Sequence, residues 1–416
     1  MRICHLGKYY FPSTGGIETH VRTLAKAQAA EGAAVRVVCI SHQDSSGRDV
    51  TARSFAATHT SEEQDGEIRV TRIGRRFSLA RWDVCPGMRR QLQQMLNQSC
   101  DIVHLHVPNP TMLLALASLR IRVPLVITHH SDVVRQRILG WGLRPFEVAV
   151  FRQAASIIAT SPEYAGGSRL LSRYADRVEV LPFGIDLSPF QNPTEAALRF
   201  AARLRADDGR PLWLSVGRLV YYKGLETAVR ALRHVPGRWV VIGTGPLEHA
   251  LRDLAEQQGV SDRIVWLGQA TDDQVVGALH AATALWFPSN IRSEAFGLVQ
   301  VEAMASGCPV INCDIPHSGV PWVSRHDETG LTVSVNSPEQ FAAAARRLHE
   351  DTKLRTRLSE CAQLRAAEQF GHQQMARQSL DLYRRVLSEA ERTAVKPIPR
   401  RGALRQSPNQ LAQPTP

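Results

Sequence analysis

Cysteine is sparse in this chain of 416 residues: the seven present (Cys4, Cys39, Cys85, Cys100, Cys308, Cys313 and Cys361) are scattered, odd in number and never spaced as CxxC. That pattern excludes a disulfide framework and a zinc finger or ribbon, and it fits a reducing compartment. Long apolar runs are missing as well. No stretch approaches the 18 or more residues that span a bilayer, and the amino terminus MRICHLGKYYF turns polar before a signal-peptide core can form. Neither export nor a membrane span is expected, and a cytoplasmic location is. No DxD metal motif occurs, and no helix-turn-helix, zinc or RNA-recognition signature accompanies the basic residues, so nucleic acid is not an expected partner.

Acidic residues are what one segment lacks. The chain has a net charge of +11, and residues 69–90 (RVTRIGRRFSLARWDVCPGMRR) carry seven arginines against the single acid Asp83. Ile73, Phe77, Leu79, Trp82 and Met88 lie between them. The segment reads as a solvated loop and helix, or as a surface for anionic lipid headgroups or a phosphorylated acceptor.

What is abundant is alternation. Short β-branched runs (RICHLG, AVRVVCI, DIVHLH, PLVITHH, ASIIATS and RVEVLPFGID) are separated by amphipathic helical patterns, and the same logic resumes with PLWLSVGR, RWVVIGTGP, IVWLG, ALWFPS, CPVINCD and GLTVSV. Such a pattern predicts an α/β chain with two doubly wound Rossmann-like domains facing across a cleft. The expected division is 1–190, 191–370, a helix at 371–391 returning to the first domain, and a disordered, proline-rich tail at 392–416. In such sheets ligands collect at the carboxyl ends of strands, at topological switch points.

Four segments at strand ends carry candidate chemistry. In SEAFGLVQVEAM (293–304), Gly297 opens a helix whose free amides favour an anion near Phe296, Gly297 and Leu298. If most of the step from Glu294 to Glu302 is helical, the two glutamates stand about 12 Å apart at about 1.5 Å per residue. They are then too far apart for a shared-proton pair, which needs about 5 Å, and suit a sugar on one side of a diphosphate and a ribose on the other. VGRLVYYKGLE places Arg218 and Lys223 after a strand, where two cations can clamp a diphosphate. IGTGPL supplies Gly243 and Gly245, and FPSTGGIETH supplies Gly15 and Gly16, for close backbone approach.

Together these features resemble the family 4 retaining glycosyltransferases of the GT-B fold, over residues 1 to about 390. The resemblance rests on GG-x-E-x-H (15–20), FGID (183–186), GR-x4-KG (217–224), GTGP (243–246) and above all SEAFGLVQVEAMASGCPVI (293–311). It implies that Glu302 binds the nucleotide ribose, and that Arg218, Lys223, Gly16 and the 296–298 amides hold the diphosphate. Glu294 is implied to reach the donor sugar and support developing charge. In ITHHSD (127–132) it aligns His130 with the active-site histidine and His129 with an aromatic residue, His129 being read as a core residue. Asp132 and Arg135 are candidates for acceptor or sugar contacts. His104 and His106 are assigned to opposite faces of their strand, with His106 the cleft candidate. Gly268, Gln269 and the 290–296 loop are expected to select the donor.

The expected function is transfer of a hexose, with GDP-mannose the leading donor, to a saccharide or lipid-linked acceptor at the inner membrane face, as in bacterial O-antigen or exopolysaccharide assembly. No metal or other cofactor is expected, the sugar nucleotide being a substrate. The alternatives are a UDP-hexose donor, a nucleotide-sugar epimerase and a non-catalytic binding protein.

Overall fold

The computed structural model describes residues 1–13, 15–42, 59–79, 82–97, 100–131, 137–205 and 210–395. Its first unit contains β1 (Arg2–Leu6), β2 (Ala34–Ile40), β3 (Ser61–Asp65), β4 (Ile68–Ile73), β5 (Phe77–Leu79), β6 (Trp82–Val84), β7 (Ile102–Val107), β8 (Leu125–His129), β9 (Ala154–Ala159) and β10 (Val178–Val180). Eight of these form one sheet in the order β10-β9-β8-β7-β1-β2-β4-β3, and β5 and β6 pair as a separate hairpin. Only the β3–β4 pair within the large sheet is antiparallel. The central strands β7 and β8 are buried at every position, as parallel strands covered on both faces must be.

The second unit adds β11 (Leu212–Val216), β12 (Arg238–Ile242), β13 (Ile264–Gly268), β14 (Ala284–Phe287), β15 (Val310–Asp314) and β16 (Gly330–Ser334). They form an all-parallel sheet in the order β13-β12-β11-β14-β15-β16. The strand order reverses between β1 and β7 in the first sheet and between β11 and β14 in the second. These are the crevices where open α/β sheets receive ligands.

Each face of the first sheet has its own core. Leu6, Val103, Leu105 and Ile127 pack on one side with Phe151 and Tyr164. Ile3, Ile102 and Val126 pack on the other with Val21 and Ala25 of helix Gly16–Ala30 and Leu380 and Tyr383 of helix His372–Val395. The carboxyl-terminal helix therefore covers the first sheet, and it ends four residues beyond the expected position 391. The rest of the proline-rich tail lies outside the described residues. The chain crosses between the units twice at one place: Ile185 N–H donates to Phe370 O (2.9 Å) and His372 N–H donates to Ile185 O (2.9 Å). A Cβ on Gly184 would stand 2.7 Å from Gly371 O, so the two crossings can lie this close only with glycine there.

The arginine-rich segment is the main departure from expectation. Residues 69–90 contribute β4, β5 and β6 before helix Met88–Asn97, rather than a loop and helix alone. Arg75 is fully buried and donates to Asp83 Oδ1 at 3.0 Å, while Asp83 also accepts from Tyr9 OH at 3.0 Å and lies 3.4 Å from Lys8 Nζ. Arg72 is buried too, paired with Glu63 on the adjacent β3. The acids of SEEQD lie beside this segment in space although not in sequence. Two of the seven arginines are therefore structural; Arg69, Arg76, Arg89 and Arg90 remain exposed, and Arg81 lies outside the described residues.

Candidate functional site

The second unit supplies the charged side of the site. Arg218 and Lys223 follow β11, and Glu294 follows β14, so they flank the switch point of that sheet. Lys223 Nζ stands 2.5 Å from Glu294 Oε2, with side-chain exposures of 15% and 12%. Ser289 Oγ donates to the same carboxylate oxygen at 3.2 Å, and Lys223 also lies 4.7 Å from the centre of the Phe287 ring. Ser318 Oγ donates to Glu294 O at 2.5 Å and fixes the backbone of the loop. Arg218 is exposed. Gly217, Arg218, Lys223, Phe287 and Ser289 line a small pocket here.

Backbone geometry explains the glycines. Gly243 has φ +128°, and a Cβ there would meet Gly217 O at 2.1 Å, so the loops after β12 and β11 can touch only through glycine. Gly297 adopts φ +77° immediately before helix Leu298–Ala305, and a Cβ would meet the Phe287 ring at 2.6 Å. Gln300 N–H, in the first turn of that helix, donates to Gly297 O at 2.9 Å, and the amides before it lie where a helix has no carbonyl of its own one turn back. Phe296 contributes only its backbone to this end, because its ring is buried against Phe183, Phe370 and Trp322.

The helix begins at Leu298, which corrects the ruler expected from sequence. Glu294 lies in the preceding turn, so a helical rise does not measure its distance from Glu302. Glu302 is on the helix, and desolvation pushes its carboxyl up to about 7, with Asp272 adding to the rise and Lys223 opposing it. Lys223 thus pairs with one glutamate and acts electrostatically on the other. Gln269 is exposed just beyond β13, after Gly268 at φ +63°.

The first unit supplies an uncharged side. His130 follows β8, is buried, and its Nε2 lies 3.0 Å from His106 Nδ1. His106 Nε2 in turn lies 3.0 Å from His5 Nδ1. His104 shares this face with His106, their ring centres 4.3 Å apart. That corrects the expectation of opposite faces: the side-chain period of a strand is two, so residues two apart point the same way. His129 points to the other face, packed on Phe151 and Tyr164, with its Nδ1 3.3 Å from Tyr164 OH. Burial pushes His5 down to about 4 and His20 to about 3, and holds His104, His106 and His130 well below the usual imidazole range. All five are neutral near pH 7.

His5, His20 and Gln28 had no assigned role in the sequence reading, although His20 stands in the GG-x-E-x-H motif. Its ring packs on Phe183 at 4.1 Å and edge-on to His130 at 5.1 Å. Two overlapping trios, His5/His104/His106 and His20/His106/His130, place ring nitrogens within 4.8 Å of one another, the kind of cluster that can hold a metal. The short contacts within them are imidazole–imidazole hydrogen bonds. Gly16 opens helix Gly16–Ala30, which carries His20. Asp132 and Arg135 lie outside the described residues.

The two sides meet through aromatic and loop contacts. Phe183 packs between His130 (ring centres 5.1 Å apart) and Phe296 (5.0 Å), tilted to both. Arg292, in the loop that carries Glu294, donates to Tyr164 O at 2.9 Å and to His317 O at 2.7 Å.

Two facing Rossmann-like domains with this loop at their junction define the GT-B class of glycosyltransferases. The chain matches the family model described as Glycosyltransferase Family 4 over residues 14–189 and that described as Glycosyl transferases group 1 over residues 199–365. It is 29% identical over 388 residues to the O-antigen chain mannosyltransferase C of Escherichia coli, covering 93% of this chain and 99% of that protein. It is 30% identical over 371 residues to the D-rhamnosyltransferase WbpZ of Pseudomonas aeruginosa, covering 89% and 92%. Among solved structures, that of HepE from Anabaena with UDP-glucose superposes with a TM-score of 0.70 at 19% identity, covering 94% of this chain and all of that one (100%). The chain belongs to the family 4 glycosyltransferases. Among the described residues, no helix is long and apolar enough to cross a membrane.

Proposed function

We propose that this glycosyltransferase moves a hexose, with mannose from GDP-mannose the leading candidate, from a sugar nucleotide to a saccharide or lipid-linked acceptor in polysaccharide assembly, with retention of anomeric configuration. The observation that carries the reading is the Lys223–Glu294 pair, 2.5 Å apart at the switch point of the second sheet. A cation there serves a diphosphate, and the carboxylate beside it serves the sugar attached to that diphosphate. Arg218 adds a second cation, the amides at Phe296, Gly297 and Leu298 and the close backbone at Gly16 and Gly243 add donors, and Glu302 accepts from the ribose. His130 faces the transferred sugar from the first unit, and Gln269 contributes to donor choice. Mannose and O-antigen chemistry are supported by the names of the two relatives at 29% and 30% identity. A UDP-hexose is the competing donor.

Incubation with GDP-mannose, GDP-rhamnose and UDP-hexoses, together with lipid-linked and free saccharide acceptors, tests the reading. Release of nucleotide with an α-linked product from an α-linked donor is expected. Turnover of no sugar nucleotide contradicts transfer, an inverted product contradicts retention, and interconversion of donors without acceptor indicates an epimerase. Transfer is proposed to need no metal, so EDTA leaves the rate unchanged; loss of activity restored by a divalent cation overturns that part. We also place the protein at an anionic membrane surface, with the exposed Arg76, Arg89 and Arg90 and the 43%-exposed Phe77 as its contact.

A further inference from the structure

Six groups form one continuous buried chain from the carboxyl-terminal helix to His130. Ser379 Oγ lies 2.6 Å from Ala376 O, Gln28 Nε2 lies 2.8 Å from Ser379 Oγ, and His5 Nε2 lies 2.7 Å from Gln28 Oε1. His106 Nε2 lies 3.0 Å from His5 Nδ1, and His130 Nε2 lies 3.0 Å from His106 Nδ1. Ala376 O is a backbone carbonyl and can only accept. It therefore takes the Ser379 hydroxyl proton, which leaves Ser379 Oγ as an acceptor and turns the Gln28 amide nitrogen towards it. Gln28 Oε1 must then accept from His5 Nε2–H. A neutral imidazole with one nitrogen protonated has the other bare. His5 Nδ1 accordingly accepts from His106 Nε2–H, and His106 Nδ1 accepts from His130 Nε2–H. His130 Nδ1 is left as a lone pair, and it is a buried atom without a hydrogen-bond partner.

A side branch obeys the same polarity. The second Gln28 amide proton points to Tyr383 OH (3.2 Å), Tyr383 OH donates to His104 Nδ1 (2.6 Å), and His104 Nε2–H donates to Thr128 Oγ1 (2.6 Å).

We propose that Gln28, His5 and His106 are positioning residues that lock His130 as its Nε2–H tautomer, so that Nδ1 is an acceptor for a hydroxyl of the bound sugar. The carbonyl of Ala376 sets the direction of the whole chain. The low proton affinity of these histidines agrees with it, since one imidazolium in the line would set two donors against each other. The kinetic consequence rests on the proposed transferase reading; the tautomer does not.

Long-range 1H–15N correlation spectra of the full-length protein read the tautomer directly. His130, assigned by loss of its signals in His130→Gln, is expected to show a protonated Nε2 and a bare Nδ1. A protonated Nδ1, or an imidazolium at about pH 7.5, overturns the proposal, as does a spectrum in which metal binding leaves both nitrogens unprotonated. Gln28→Leu removes the acceptor for His5 and is expected to give mixed His130 tautomers and to lower kcat on the order of tenfold, with nucleotide affinity unchanged. Gln28→Glu keeps an acceptor towards His5 and is expected to restore both the single tautomer and most of kcat. A single, unchanged His130 tautomer in Gln28→Leu refutes the chain. Mixed tautomers with undiminished transfer refute the positioning role while leaving the transferase reading intact.

Discussion

The two sides of the cleft handle buried polarity in opposite ways. The second unit keeps full charges at its site, Lys223 against Glu294, and holds them together at 2.5 Å with residual exposure of 15% and 12%. The first unit buries His5, His20, His104, His106 and His130 together and keeps them neutral by desolvation, each oriented by a neighbour's hydrogen bond or ring. The contrast follows from what each side is proposed to meet. A diphosphate carries formal charge and is best held by cations and free amides. A sugar is neutral, and discriminating among its hydroxyls calls for donors and acceptors of fixed direction.

Removing a charge should therefore damage the second unit's function far more than a comparable change outside the cleft. Lys223→Ala deprives both the diphosphate and Glu294 of their cation, and kcat/KM should fall on the order of a thousandfold; a loss below about tenfold would mean that the pair is not part of the site. Arg75→Leu tests the opposite kind of cation. It leaves the buried Asp83 short of a partner and should cost about 3 kcal/mol of stability, seen as a lower urea midpoint, while nucleotide affinity stays unchanged. Altered affinity without destabilisation would return Arg75 to the functional arginines.

Glu302 offers a finer test. Its carboxyl, raised to about 7, is protonated below that pH and ionised above it, and the ionised form is the better acceptor for ribose hydroxyls. Affinity for GDP or UDP should thus rise up to about tenfold from about pH 6 to about pH 8, and Glu302→Gln should flatten the profile. The sign for stability is the reverse: a carboxyl that binds its proton more tightly when folded loses stability as pH climbs from the ordinary glutamate range to about 7. Smallest of all is the surface effect. Replacing any one of Arg76, Arg89 and Arg90 by serine should reduce sedimentation with anionic liposomes severalfold, at about 1 kcal/mol per residue at the membrane surface. Unchanged sedimentation would remove the membrane from the account.

The sequence made the charged side legible and left much of the neutral side hidden. Arg218, Lys223 and Glu294 follow strands whose β-branched runs are plain in the chain, so their clustering was an inference about strand ends. The imidazole chain was not accessible that way. It joins His5 to His106 and Gln28 to Ser379, residues 101 and 351 positions apart, and depends on the carboxyl-terminal helix lying across the first sheet. His104 and His106 could have been placed on one face from the strand period alone. Arg72 is hidden for a different reason: β3 has no apolar alternation to mark SEEQD as a strand, so the sequence does not show the acid Glu63 beside β4, whereas Arg75 pairs with Asp83 of its own segment and only its burial is invisible in the charge pattern.

The division of labour between a phosphate-holding cation and a sugar-facing carboxylate is tested most directly by measuring GDP or UDP affinity and kcat together in Glu294→Gln. The substitution releases Lys223 from its partner while leaving it in place. Nucleotide affinity is predicted to be retained or slightly increased, with kcat reduced on the order of a hundredfold or more. A parallel loss of nucleotide affinity, or an undiminished kcat, would contradict the account.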